Sequence, residues 1–326
     1  MAGLTQQQVD QFFSEGYLLV ENLFDPVAYL DPMIAEYEDL LDQLAKDLFA
    51  KGRLSSTYSD LPFGKRLTQI YAETGTVHAG YFDFSLPFKD VKPDQPCHFG
   101  PAVFNMLRNP SILDVVESLI GPEIYSNPVQ HVRLKPPERF VPRDPKTGRV
   151  LLGATQWHQD AGVVIEEADE TEMLTVWVPI WDATVENGCL CVVPRNHDRG
   201  LLQHCVRPDI GNYLPERYFD ADRAIPVPVR RGGALFLHRK TPHCSLSNNS
   251  DDVRWSMDLR YNPTGQPTGR PEFPGFVARS RANPESELRD PVVWKQRWLE
   301  TRARMAAHPE LVGPFNRWKV GAPGCA

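Results

Sequence analysis

Two histidines and an aspartate have the types and the spacing to hold one metal ion. His158 and Asp160 stand at positions i and i+2, so in an extended chain their side chains project from the same face. His243 follows 85 residues after His158, just behind a predicted strand. Two imidazoles and one carboxylate on one side of a metal leave the opposite side open, as non-haem Fe(II) oxygenases require. The pattern predicts that these three residues are metal ligands and catalytic residues.

A cationic side chain and a hydroxyl follow the second histidine along the chain. Arg254 lies eleven residues beyond His243, and Ser256 comes two positions later, on the same face of a predicted strand. A buried guanidinium beside a hydroxyl can hold a carboxylate through charge-assisted hydrogen bonds. An organic acid is therefore the predicted co-substrate.

Other common catalytic signatures are absent from the sequence, and its charge disfavours polyanionic partners. There is no G-x-S-x-G elbow, phosphate-binding loop, G-x-G-x-x-G turn or H-E-x-x-H helix, which argues against the usual hydrolase, kinase and dehydrogenase sites. The net charge of -7 opposes binding to nucleic acid or to an anionic membrane. No apolar stretch reaches the roughly 18–20 residues of a membrane span, and the first ten residues carry no secretory signal. We expect a cytoplasmic protein, monomeric or homo-oligomeric, that acts on a small molecule.

The six cysteines are scattered along the chain and show no C-x-x-C spacing. A zinc ribbon is therefore not predicted. In a reducing compartment we expect all six to be thiols.

The elements that must position these residues fall into three parts. Residues 1–122 are predicted to be largely helical, 123–262 to form the β-core, and 263–326 to form a C-terminal loop and helix, all within one domain. Helix starts are predicted at capping residues: Thr5 with Gln8 as a capping box, Asp31-Pro32, Asn109-Pro110 and Asp290-Pro291. We expect the residues that cover the site to come from the first hundred positions and from the stretch after Tyr261.

Seven short segments of the middle part have the period of two and the β-branched composition of strands. They are residues 124–126, 130–134, 175–181, 190–193, 224–229, 234–237 and 254–261. No long helix intervenes between them, which favours an antiparallel sandwich or barrel over an alternating α/β fold.

At this point the sequence resembles a known family, the phytanoyl-CoA dioxygenases, which depend on Fe(II) and 2-oxoglutarate. The resemblance runs from about Tyr17 to Tyr261. The matching stretches are Lys135-Pro136-Pro137, His158-x-Asp160, Trp177, Glu186-Asn187-Gly188-Cys189-Leu190, and His243-Cys244-Ser245 with Arg254. One stretch departs from the family pattern, because Pro194-Arg195-Asn196-His197 stands where P-G-[ST]-H is usual.

The resemblance implies a mainly β protein with flanking helices, whose core is a double-stranded β-helix (a cupin-like jelly roll) with iron at its mouth. It implies that 2-oxoglutarate chelates the Fe(II), that Arg254 pairs with the far carboxylate, and that Ser245 assists. Oxidative decarboxylation then releases succinate and carbon dioxide, and hydroxylation of a C–H bond is the usual outcome. Related halogenating enzymes have a small residue in place of the ligand aspartate, so Asp160 argues against halogenation.

Several contacts of the co-substrate stay open at the level of sequence. Ser245 and Ser256 compete for one role, and family position favours Ser245. Trp177 either lines the co-substrate pocket or only fills the core. His131, Arg133 and Lys135 share one strand face. If that face points inward, His131 could hydrogen-bond 2-oxoglutarate and Arg133 a polar substrate; if it points outward, the three form a solvated cationic stripe.

The predicted function is hydroxylation of an unactivated carbon of a small metabolite, with 2-oxoglutarate and O2 as co-substrates. Three alternatives remain. The same iron chemistry could end in desaturation, cyclisation or epimerisation; an oxygenase independent of 2-oxoglutarate could use Arg254 and Ser256 to hold its substrate; or a jelly roll could bind a ligand or metal without turnover. Phytanoyl-CoA itself is not the predicted substrate, because no basic cluster suited to a CoA phosphate is evident.

Overall fold

The computed structural model describes residues 3–87, 90–311 and 317–325. Its α-helices are α1 Gln6–Glu15, α2 Pro26–Ala50, α3 Phe63–Thr74, α4 Ala79–Phe82, α5 Pro101–Leu107, α6 Pro110–Ile120 and α7 Pro291–Ala307. The capping box of Thr5 and Gln8 is present at the start of α1, and Asn109 and Asp290 cap α6 and α7 as predicted. No helix within the described residues is long and apolar enough to cross a bilayer.

The predicted start of the second helix is wrong by six residues. Helix α2 begins at Pro26, where the Asp25 side chain accepts a hydrogen bond from the Val27 amide at 2.9 Å. Two Asp-Pro pairs lie six residues apart, and the earlier one caps the helix. Starting there adds the fully buried Leu30 to the core, which offsets the one hydrogen bond lost at the internal Pro32.

All seven predicted strands are present, and five more were missed. In chain order the strands are β1 Tyr17–Val20, β2 Glu123–Ser126, β3 His131–Lys135, β4 Leu174–Pro179, β5 Leu190–Val192, β6 Cys205–Arg207, β7 Gly211–Tyr213, β8 Ile225–Val227, β9 Ala234–His238, β10 His243–Ser245, β11 Arg254–Pro263 and β12 Phe276–Ser280. The missed strands are β1, β6, β7, β10 and β12. Each has three to five residues. The strands β5 and β8 are as short, but they lie within the longer β-branched stretches 190–193 and 224–229, which the sequence does show.

Two facing antiparallel sheets form the core. The main sheet has the order β1-β9-β4-β11-β2-β12, with β3 also paired to β11, and the smaller sheet has the order β10-β5-β8. The mainly β class with flanking helices and a jelly-roll core is confirmed. The division at residues 122 and 262 remains a prediction, and the main sheet draws a strand from each of the two outer parts, β1 from the first and β12 from the last.

The two faces of the main sheet have different surroundings. On the outer face, apolar side chains of β4 and β11 such as Val176 and Trp255 share one core with helices α2, α3, α5, α6 and α7. On the inner face, Trp177 and Leu235 pack with Leu190 and Val192 of the smaller sheet. The inner face of β11 also carries polar side chains, and these belong to the candidate site.

The expectation that all six cysteines are thiols is wrong for one pair. Cys205 and Cys325 form a disulfide between β6 and the C-terminal residues. These two positions lie 120 residues apart in no recognisable spacing, so the sequence pattern gave no sign of their pairing. Among the described residues, Cys97, Cys189, Cys191 and Cys244 are free.

Candidate metal centre and its cavity

Backbone pairing brings the three predicted metal ligands together. His158 and His243 exchange both of their backbone hydrogen bonds, at 2.9 and 3.0 Å, and their ring centroids lie 4.2 Å apart. Gln159 is extended, so Asp160 emerges on the same side as His158. The Nε2 atoms of His158 and His243 are 3.9 and 3.8 Å from the Asp160 carboxylate oxygens. One ligand atom from each residue lies within 4.8 Å of the others, which fits a single metal ion.

Hydrogen bonds fix both imidazoles in the form that can bind a metal. Nδ1 of His158 lies 2.9 Å from the Gln156 carbonyl, and Nδ1 of His243 lies 3.0 Å from the Thr241 carbonyl. A carbonyl only accepts, so each Nδ1 carries the proton and each Nε2 presents a lone pair. Burial, with the neighbouring His243, lowers the pKa of His158 to about 3, so this ring is neutral at physiological pH.

The Asp160 carboxylate is held from behind by two residues that the sequence analysis missed. Arg260 donates to one carboxylate oxygen, and the Thr175 hydroxyl donates to the other at 2.5 Å. Burial alone would raise the pKa of Asp160, but the Arg260 charge and the two histidines hold it below its usual range. Asp160 is therefore an anion, and its two hydrogen bonds fix the orientation of the carboxylate. The available signal was that Arg260 lies six residues after Arg254 and so shares its strand face.

Replacing Arg260 by methionine should destabilise the metal-free protein by about 3–5 kcal/mol, because it leaves the buried Asp160 charge without a partner. Bound Fe(II) supplies a positive charge at the same carboxylate, so it should restore part of that loss. Thermal unfolding with and without anaerobic Fe(II) measures both effects. Arg279→Met is the matched control, because Arg279 pairs with Asp114 and Glu117 away from the site. An equal loss with and without iron would contradict the assignment.

The C-terminal residues 317–325 pack against the loop that carries the candidate ligands His158 and Asp160. The backbone N–H of Gln159, between these two candidates, donates to Nε2 of His204 at 3.0 Å. The Trp318 ring stacks on His204 with centroids 5.2 Å apart, and its indole N–H donates to the Gly162 carbonyl at 2.6 Å. Burial lowers the pKa of His204 to about 4, which keeps Nε2 an acceptor. The disulfide at Cys205 secures these residues beside His204.

The inner face of β11 carries a row of polar side chains, of which Arg254, Asp258 and Arg260 line a cavity of about 790 Å³. The row consists of Arg254, Ser256, Asp258 and Arg260, which alternate with the buried apolar residues of the outer face. The strand β3 flanks the row on one side and β4 on the other. The three candidate metal ligands lie in the same region, and both histidines line the cavity.

Arg254 lies at the end of the row and is 3 % exposed. Its Nη1 donates to Ser256 Oγ at 2.5 Å, and its guanidinium lies 5.6 Å from the centre of the Trp177 ring. Burial lowers the pKa of Arg254 to about 10, so it is charged at physiological pH. Within the described part of the chain it forms no ion pair with a carboxylate. Both Arg254 and Trp177 line the cavity, where an acidic ligand would meet the charge.

The two candidate serines have different neighbours. Ser256 contacts Arg254 directly. Ser245, on β10 of the smaller sheet, accepts hydrogen bonds from Lys135 at 2.7 Å and from the Thr155 amide at 2.8 Å. The choice between them as a co-substrate contact stays a prediction.

The strand face of His131, Arg133 and Lys135 points into the cavity. His131 Nδ1 lies 2.7 Å from an Asp83 carboxylate oxygen, and Arg133 Nε lies 3.2 Å from Asp258. The three do not form a solvated stripe, and the contact of His131 with 2-oxoglutarate stays a prediction.

The outer part of the cavity is formed by segments that the sequence analysis did not anticipate. Residues 149–156 and 208–212 line it, and Arg149 pairs with Asp209 at 3.2 Å between them. The first hundred residues contribute none of the described lining, and Arg270 is its contribution from beyond Tyr261. The expected cover from the first hundred positions is therefore wrong for the described cavity. The helices of those residues pack against the outer face of the main sheet, and Asp83 contacts the cavity-lining His131 from outside the lining.

A jelly roll with two imidazoles and one carboxylate in a polar cavity defines an oxidoreductase of the non-haem iron class. A sequence model of the family described as "Phytanoyl-CoA dioxygenase (PhyH)" matches residues 12–256. The chain belongs to the phytanoyl-CoA dioxygenase family. The family membership and the oxidoreductase class expected from the sequence are thereby confirmed.

Similar proteins include both sequence relatives and solved structures. "Phytanoyl-CoA dioxygenase domain-containing protein 1" of Danio rerio is 24% identical over 265 residues, covering 77% of this chain and 87% of the relative. A "Methylphosphonate hydroxylase" of Gimesia maris is 34% identical over 109 residues, covering 33% of this chain and 40% of the relative. The solved structure titled "non-heme monooxygenase; ThoJ apo" covers 93% of this chain and 99% of its own, with 18% identity and a TM-score of 0.53. At this identity the structural likeness supports the fold alone.

Proposed function

We propose that the protein is an Fe(II)- and 2-oxoglutarate-dependent dioxygenase that hydroxylates an unactivated carbon of a small metabolite and releases succinate and carbon dioxide. The observation that carries this proposal is the convergence of His158, Asp160 and His243 within 4.8 Å, in the same region as a buried Arg254 that has no carboxylate partner among the described residues. Family membership supports the same chemistry.

The residues present fit Fe(II) as the metal. Two imidazoles with Nε2 turned inward and one ionised carboxylate supply three ligand atoms, which leaves the remaining positions for oxygen ligands. His158, Asp160 and His243 would hold the metal, and Arg260 and Thr175 would keep the carboxylate oriented. When bound, the iron supplies the activation of dioxygen that is coupled to decarboxylation of the 2-oxo acid.

Arg254 is suited to the distal carboxylate of 2-oxoglutarate. It is buried, charged and held in place by Ser256 and by the Trp177 face, so little side-chain entropy is lost when a carboxylate binds. Trp177 thereby forms one wall of the co-substrate pocket. The walls around Arg254 exclude most solvent, which strengthens the charge–charge contact.

The substrate would occupy the outer part of the cavity, bounded by residues 149–156 and 208–212. Two relatives carry names that refer to very different substrates, "Phytanoyl-CoA dioxygenase" and "Methylphosphonate hydroxylase". The class of small metabolite stays open within this proposal.

The test is anaerobic titration with Fe(II) and 2-oxoglutarate, followed by oxygen-uptake and succinate assays. We expect saturable binding of both and slow succinate formation even without the metabolite. Binding of iron with no oxygen consumption under any tested substrate would favour the non-catalytic alternative. Oxygen consumption that does not require 2-oxoglutarate would favour the independent oxygenase. Mass analysis of the product separates hydroxylation, a gain of one oxygen, from desaturation, cyclisation or epimerisation.

A further inference from the structure

Lys135 is a buried amine that the proposed function leaves unexplained. Its side chain lines the cavity and the residue is only 4 % exposed. The Nζ atom donates to two hydroxyls, Ser245 Oγ and Thr155 Oγ1, each at 2.7 Å. No carboxylate in residues 3–87, 90–311 or 317–325 forms an ion pair with it. Burial, followed by the Arg254 charge, holds the pKa of Lys135 well below its usual range.

The position of Lys135 makes its charge costly in the ligand-free protein. Lys135 on β3 and Arg254 on β11 are direct cross-strand partners. Like charges directly opposite each other on one sheet face are destabilising. The two acids whose charges act on Lys135 are engaged elsewhere, because Asp258 pairs with Arg133 and Glu138 accepts a hydrogen bond from the Ala154 amide. An anion bound beside both cations would relieve this repulsion.

Lys135 also determines how the Ser245 hydroxyl is used. Ser245 Oγ accepts one hydrogen bond from Lys135 and a second from the Thr155 amide. A hydroxyl oxygen has two lone pairs, so both are occupied and its own proton is left as a donor. Within the part of the chain that the structure describes, no acceptor takes this proton. Ser245 is therefore prepared to donate a hydrogen bond to a ligand.

We propose that Lys135 is a positioning residue for the distal carboxylate of the 2-oxo acid, acting through Ser245. It fixes the Ser245 hydroxyl as a donor. A carboxylate bound beside Arg254 would favour the charged form of Lys135, so that Lys135 would add a second positive charge at this end of the cavity. The inference rests on the proposed function, because it assigns a role toward the same co-substrate. It adds Lys135, which hydrogen-bonds Ser245, to the residues proposed to hold this co-substrate.

The test compares two 2-oxo acids on Lys135→Met, which keeps the length of the side chain and removes its charge. With Fe(II) bound under anaerobic conditions, calorimetry measures the Kd for 2-oxoglutarate and for 2-oxobutanoate, which lacks the distal carboxylate. We expect the Kd for 2-oxoglutarate to rise about tenfold or more, as for loss of a hydrogen bond to a charged group, and the Kd for 2-oxobutanoate to stay roughly unchanged. Equal weakening of both acids would overturn the proposal.

Thermal unfolding separates this role from a purely structural one. The ligand-free Lys135→Met protein should be at least as stable as the wild type, because an uncompensated buried charge has been removed. The increase in Tm that 2-oxoglutarate gives to the wild type should shrink in the variant. A ligand-free protein that is clearly less stable than the wild type would mean that Lys135 serves the fold, and would overturn the proposal.

Ser245→Ala supplies a second, smaller change that tests the route through the serine. It should show the same selectivity for 2-oxoglutarate over 2-oxobutanoate. Adding Lys135→Met to Ser245→Ala should weaken binding less than it does in the wild type, since residues that act together are not additive. Fully additive effects would contradict the route through Ser245. If the wild type binds neither 2-oxo acid, the proposed function itself fails.

Discussion

His158→Ala should abolish both iron retention and turnover. The variant removes one of three ligand atoms that lie within 4.8 Å of one another, and it leaves Asp160 and His243 unable to enclose the ion. Loss of residues that merely support metal ligands costs 10–100-fold in affinity, so loss of a ligand should exceed about 100-fold. Anaerobic Fe(II) titration measures the affinity, and the oxygen-uptake assay measures the turnover.

The matched control for this prediction is His308→Ala. His308 follows α7, and its side chain is 56% exposed, so its loss should leave both iron binding and turnover unchanged. Circular dichroism of both variants verifies that the fold persists. Iron affinity close to that of the wild type in His158→Ala would remove His158 from the ligand set, and with it the proposed centre.

Arg254→Met should raise the requirement for 2-oxoglutarate by roughly 10–150-fold while iron still binds. The range corresponds to about 1.5–3 kcal/mol for a hydrogen bond to a charged group. Methionine fills much of the same volume, so the neighbouring Trp177 keeps its packing. The KM for 2-oxoglutarate and the Kd for Fe(II) are the two measurements, and only the first should change.

A second ligand sharpens the test of Arg254. The Kd for 2-oxobutanoate should change little in Arg254→Met, because this acid has no distal carboxylate to lose. An unchanged 2-oxoglutarate requirement would reassign Arg254. It would then favour an oxygenase in which Arg254 and Ser256 hold the substrate's own carboxylate.

Two of the candidate metal ligands could be proposed from sequence because their geometry is local: His158 and Asp160 flank one extended residue. His243 is joined to them by a long-range backbone pairing, and only its place after a predicted strand and the family resemblance indicated it. No such indication existed for Arg260 and Thr175. Their contacts with Asp160 depend on the register between β4 and β11, which no local pattern reveals.

Strands were predictable where they lie in a run of alternating or β-branched residues, and they were missed where no such run exists. A helix start was misplaced where the same capping pair occurs twice. The ten-residue strand β11 alternates clearly, whereas the three-residue β10 shows no period, although it carries His243 and Ser245. The start of α2 was predicted six residues too late, because Asp25-Pro26 and Asp31-Pro32 can each cap a helix. The Cys205–Cys325 disulfide joins residues far apart in the chain, so only the tertiary fold brings them together.

The packing of Trp318 on His204 affects the order in which the site is completed during protein synthesis. A nascent chain leaves the ribosome from its N-terminal end, so the loop with Asp160 emerges long before the residues that cover it. At roughly 5–20 residues per second the interval is on the order of ten seconds or more. During that time the loop lacks its final support, and iron capture should be among the last events of biosynthesis.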